Sequence, residues 1–132
     1  FSPLLLVLET GSPAARKGAA IALGKVEDPA VMEPLLSALS DPDEGVRSAV
    51  IEALAGLGEG VHSRVLAHIQ GLSPGERDRV FQSLREATNP RFIEGFLPVL
   101  SMADEGVREV ILSLVREGGR VQQGGKDPAP GA

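Results

Sequence analysis

Apolar residues recur along this chain at steps of three and four, in short blocks divided by Gly, Pro, Asp and Ser. One block carries Val31, Leu35, Leu36 and Leu39, and the next carries Val46, Val50, Ala53, Leu54 and Leu57. That spacing lays a single apolar face along an α-helix. The punctuation agrees with it. Asp28-Pro29 supplies an N-cap followed by Pro in the first turn. Ser40-Asp41-Pro42-Asp43 is a tight turn, and Gly58 and Gly60 end the second block. The pattern therefore predicts two short helices joined by a turn. Neither is long enough to hold its shape alone in water, so each needs a partner to pack against.

The two-helix pattern recurs. EPLLSALSDPDEGVRSAVIEAL at 33–54 aligns with EGFLPVLSMADEGVREVILSLV at 94–115, and DEGVR falls at 43–47 and again at 104–108. The offset of 61 is about twice a 30-residue unit, which predicts a copy between them. In that copy Val65, Leu66 and Ile69 replace Leu35, Leu36 and Leu39, while Arg77, Val80 and Leu84 replace Arg47, Val50 and Leu54. An earlier copy carries Leu4, Leu5 and Leu8, then Arg16, Ala19 and Leu23. The units fall at about 1–28, 29–60, 61–88 and 89–118. In the third, Ser73-Pro74-Gly75-Glu76 reads as a capping box opening its second helix. Residues 119–132, rich in Gly and Pro, read as a flexible tail.

Pro34, Leu35-Leu36, Leu39, Asp41, Val46-Arg47, Ala49, Ala53-Leu54 and Gly58 together resemble the short bacterial HEAT-like repeats, which are also seen in proteins of the phycobilin-lyase type. The third unit departs most, with Gly71 at the position of the turn Asp and Glu76 at that of the Val. The resemblance implies an all-α, right-handed α-solenoid of about four antiparallel helical hairpins. It also implies a structural ladder in which Arg16, Arg47, Arg77 and Arg108 bond to turn acids and hold neighbouring units in register, with Asp41, Asp43 and Asp104 as acceptors. A row of Arg could alternatively bind an anionic ligand.

Composition narrows the functional classes. With no Cys, Trp or Tyr and four Phe, the core must come from Leu, Val, Ile and Ala, and thiol chemistry and Cys-bound zinc are excluded. The net charge is −5 and the Lys and Arg residues are scattered, which argues against a nucleic-acid interface. No apolar stretch approaches the roughly 20 residues of a membrane span, and FSPLLLVLE makes a poor signal peptide. A cytoplasmic protein is expected. The chain does not begin with Met, which reads as a fragment or a processed protein.

No catalytic, metal or cofactor motif is evident. His62 and His68 are six apart, on different faces of one helix, and read as ordinary surface histidines. Gly56-Leu57-Gly58-Glu59-Gly60 follows a helix and lacks the GK[ST] ending of a phosphate loop. The polar face of the second helices is more informative. It carries Glu44, Ser48 and Glu52 in the second unit, Asp78 and Gln82 in the third, and Glu105 and Glu109 in the fourth. Residues 29–60 hold one Arg against six acids. By the resemblance this face lines the concave, partner-binding side. It would attract a basic protein partner, or it is a solvated face that maintains solubility. The first helix is apolar on most sides, through Phe1, Leu4, Leu5, Leu6, Val7 and Leu8, and is expected to be covered by preceding sequence, a partner or another copy. The expected role is a non-catalytic protein–protein interaction scaffold or adaptor. A chromophore-handling or lyase-type role and a purely structural spacer are the alternatives.

Overall fold

Capping residues and breakers set the helix boundaries. The computed structural model describes the backbone of residues 2–26, 28–58, 60–86 and 90–126, with side chains described for 3–26, 28–58, 60–86 and 91–117. The first unit is α1 (Ser2–Thr10) and α2 (Pro13–Gly24). The second opens with a 3-10 turn (Pro29–Val31), followed by α3 (Met32–Ser37) and α4 (Glu44–Ala55). The third is α5 (Val61–Gln70) and α6 (Pro74–Glu86). The fourth is α7 (Pro90–Glu94), a 3-10 segment (Leu97–Met102) and α8 (Glu105–Lys126).

The second helix of every unit is capped at its start. Ser12 accepts from the Ala15 amide at 3.3 Å, Asp43 from Val46 at 3.0 Å and Asp104 from Val107 at 2.8 Å. The predicted capping box is present, with the Ser73 amide donating to Glu76 at 3.1 Å and the Glu76 amide to Ser73 Oγ at 3.3 Å. Gly58 and Gly60 adopt φ of +87° and +84°, a conformation that L side chains disfavour, and so turn the chain from α4 into α5. The first helix of the fourth unit is broken. Gly95 and Pro98 interrupt it, because Pro supplies no amide for an α-helical bond, and a 3-10 segment completes its length.

Packing runs through the second helices in order: α2 against α4, α4 against α6 and α6 against α8. The first helices pack in parallel fashion along the other side, α3 against α5 and α5 against the 3-10 segment of the fourth unit. The core is one continuous cluster that takes residues from all four units, with Leu23, Leu35, Leu54, Leu66, Leu84, Phe96 and Ile111 fully buried. A stack of hairpins sharing one core is an all-α solenoid.

Two features differ from the sequence reading. Helix α8 runs on to Lys126, so the backbone of 119–126 is helical where a tail was expected. Gly118 and Gly119 each weaken a helix by about 1 kcal/mol but do not forbid it, and residues 127–132 lie outside those described. The apolar first helix is also less exposed than its composition suggests. Leu8 is buried and Leu4, Leu5 and Val7 pack partly against the core, which leaves Leu6 at 62% exposure. Phe1 lies outside the described residues.

Candidate functional site

The Arg row shows how units are joined. Arg16 donates to the Gly11 carbonyl of its own turn at 2.8 Å and grips Asp41 of the next unit through Nε at 2.9 Å and Nη2 at 3.1 Å. The bidentate bond to Asp41 holds the Arg16 guanidinium pKa above its ordinary value, against a smaller opposing effect of burial. Arg77 repeats the arrangement. It donates to the carbonyls of Ile69 at 3.1 Å and Gln70 at 2.8 Å and reaches Asp104 of the fourth unit at 3.6 Å.

Arg47 departs from this pattern. It takes the carbonyls of Asp41 at 2.8 Å and Pro42 at 3.1 Å in its own turn, but the next unit has Gly71 at the place of the turn acid. Its Nε donates instead to Ser83 Oγ on α6, at 2.7 Å. Arg108, in the fourth unit, donates to its own turn at Ala103, 2.9 Å away, and is exposed. Asp43, expected as a ladder acceptor, caps α4 instead. Its place three residues before Val46 was the available signal. Arg16, Arg47 and Arg77 are thus committed to carbonyls and to the following unit, while Arg108 bonds its own turn and stays exposed.

Units two and three meet through other side chains than the joints on either side. Between units one and two, Gly24 lies against Ala53, 29 residues on. Between units three and four, Arg85 pairs with Glu117 at 3.2 Å, 32 residues on. Across the middle joint, Ser83 and Glu86, late in α6, come to Arg47 and Glu44, early in α4. The Glu86 carboxyl beside Glu44 raises the Glu44 pKa, with burial and Asp43 adding to the rise and Arg47 opposing it.

Every residue of the predicted polar stripe is exposed: Glu44, Ser48, Glu52, Asp78, Gln82, Glu105 and Glu109. Among the described residues none of its acids is held in a salt bridge. Other acids are in use. Glu33 pairs with Arg64 across α3 and α5, Asp41 with Arg16, and Asp104 caps α8. The stripe's acids are, like Glu9 and Glu94, exposed and outside the salt bridges among the described residues.

The matched family fits this geometry. A family model of HEAT repeats matches residues 1–88, two thirds of the chain and the first three units. The chain belongs to the HEAT-repeat family. No curated protein matches it. HEAT repeats are protein-interaction scaffolds, and here the fourth unit, beyond the matched residues, continues the same hairpin stack.

The histidines were misread as surface groups. Both are half-buried. His62 sits at the joint between units three and four, its ring centroid 4.7 Å from those of Phe92 and Phe96, with Nε2 2.7 Å from the Phe92 carbonyl oxygen. Burial lowers the His68 pKa, against a smaller attraction to Glu76. Among the described residues no three His, Asp or Glu side chains gather as metal ligands, and no helix is long and apolar enough to cross a membrane.

Proposed function

We propose that this HEAT-repeat chain is a non-catalytic adaptor that docks a protein with a basic face on the exposed stripe of its second helices. The observation that carries this reading is the division of labour among the acids. Glu33, Asp41, Asp43 and Asp104 are spent on caps and interunit bonds, whereas Glu44, Glu52, Asp78, Glu105 and Glu109 face solvent unpaired among the described residues. Exposed unpaired acids speed the encounter with a basic surface and penalise an acidic one. The crowding of Glu44 and Glu86 supports the same reading, because a cation placed between them relieves their repulsion.

The test is affinity purification from the native cells, with the wild-type chain beside a variant carrying Glu44→Lys, Glu52→Lys, Glu105→Lys and Glu109→Lys. A partner held by the wild type and weakened more than about tenfold in the variant, with wild-type binding that declines as salt rises, is the expected result. A partner held equally by both moves the binding surface away from the stripe. These four positions are exposed, so the variant should keep its fold, which circular dichroism checks.

A further inference from the structure

Helix α6 meets the second unit at its turn. Arg79 Nη1 donates to the Ser40 carbonyl at 3.2 Å, and one helical turn later Ser83 Oγ accepts from Arg47 at 2.7 Å. Beside this meeting lies a cleft of about 350 Å³ to which three units contribute: the end of α1, the end of α3 with the turn that follows it, and the first turns of α6. That volume is at the lower end of the range of ligand pockets. It suits one long side chain and its flanking backbone better than a bulky cofactor.

Leu8, Pro34, Ala38 and Pro42 give the cleft apolar surface, and Glu9, Glu76, Ser37 and Ser40 give it acceptors. The charges of its wall divide clearly. Asp41 is occupied, because Arg16 takes both of its carboxylate oxygens. Glu76 accepts from the Ser73 amide and hydroxyl through Oε1 alone, both at 3.1 Å, which leaves Oε2 without a hydrogen bond among the described residues. Those bonds to Ser73 hold the Glu76 carboxyl below its usual pKa, so it stays charged at neutral pH. Glu9 is exposed and outside the salt bridges among the described residues. Arg79 is the cation of the wall and is tethered to the Ser40 carbonyl. Glu9 and Glu76 against Arg79 leave one negative charge, and the last turns of α1 and α3, whose carbonyl ends are partly negative, border the same space.

We propose that this cleft receives a lysine side chain from a segment of a protein partner, with the methylene stem against Leu8, Pro34 and Ala38 and the ammonium between Glu9 and Glu76. A lysine stem covers apolar surface while its charged head reaches polar groups at the rim. An ammonium sends three donors in different directions, which matches separate acceptors on α1, α3 and α6. A guanidinium fork matches instead one carboxylate taken through both oxygens, and Asp41 is already held that way by Arg16. No residue of the acidic stripe lines the cleft, so the two surfaces are separate and either can fail without the other.

The experiment is an NMR titration of the isotope-labelled chain with an N-acetylated, C-amidated Ala-Lys-Ala tripeptide, beside the same tripeptide carrying norleucine, arginine or glutamate in the middle. Norleucine keeps the stem and removes the charge. The lysine peptide is expected to bind with a roughly millimolar Kd and to shift the amides of Glu9, Ser37, Ser40 and Glu76, and the norleucine peptide to bind at least about tenfold more weakly. Glu9→Gln combined with Glu76→Gln should abolish the difference between the two. Both changes leave the fold in place, since Glu9 is exposed and Gln also serves at the last position of a capping box. Equal binding of lysine and norleucine by the wild type overturns the inference, as does arginine binding as tightly as lysine. Preference for the glutamate peptide assigns the cleft to anions through Arg79 and overturns it too. Lysine shifts confined to Glu44, Glu52, Glu105 and Glu109, or no shifts at all, do the same.

Discussion

Arg47 holds its charge at 5% exposure with neutral hydrogen-bond acceptors, two backbone carbonyls and a serine hydroxyl. Removing it takes the donor from two part-buried carbonyls and from buried Ser83, and opens the joint between α4 and α6. Arg47→Ala should cost about 2–4 kcal/mol in denaturant unfolding, while Arg108→Ala, at an exposed position, should cost less than about 1 kcal/mol. Equal costs would show that the ladder does not act through its interunit bonds. Arg47→Lys should not rescue, since an ammonium cannot donate from two fixed positions of a planar fork. His68 gives a second residue-scale test. Its folded pKa lies below the ordinary 6.5, so its contribution to stability is present above pH 6.5 and is lost as pH falls through the folded pKa. The melting temperature of the wild type should therefore decline on acidification from pH 7, and His68→Leu should flatten that decline. The Arg row was legible in the sequence because it repeats. The switch of Arg47 to Ser83 was not, because a hydroxyl 36 residues away is no motif.

Among the elements, glycine separates contact from helix propensity. A Cβ on Gly24 would lie 2.8 Å from Ala53 Cβ, between α2 and α4, and one on Gly95 would collide with the His62 ring. Either substitution to Ala forces neighbouring elements apart and should destabilise by about 1–3 kcal/mol. Gly18 sits inside α2 with nothing near its missing Cβ, so Gly18→Ala should stabilise the monomer by about 0.5–1 kcal/mol. Thermal melts of the three variants at low concentration check both signs. Of the second helices' caps, the Ser73–Glu76 box of α6 was legible, whereas Ser12, Asp43 and Asp104 were not read as caps. The first helices were less legible. Pro34 and Pro98 shorten α3 and break the fourth-unit helix, and packing decides what replaces the lost turns. The end of α8 was misplaced because Gly-Gly marks a stop only when nothing favours continuation.

At the scale of the molecule, repetition made the stack readable: a hairpin that cannot bury its own apolar face implies neighbours that can. The meeting of units two and three through Arg47 and Ser83 was not readable in detail. The proposed docking on the stripe rests on its acids being exposed and outside the salt bridges among the described residues. The most direct test is an NMR titration of the isotope-labelled chain with the partner recovered by affinity purification. Shifts should concentrate at Glu44, Ser48, Glu52, Asp78, Gln82, Glu105 and Glu109. Shifts confined instead to Leu6 and the 3-10 segment Leu97–Met102, with the stripe unmoved, would contradict docking on the second helices.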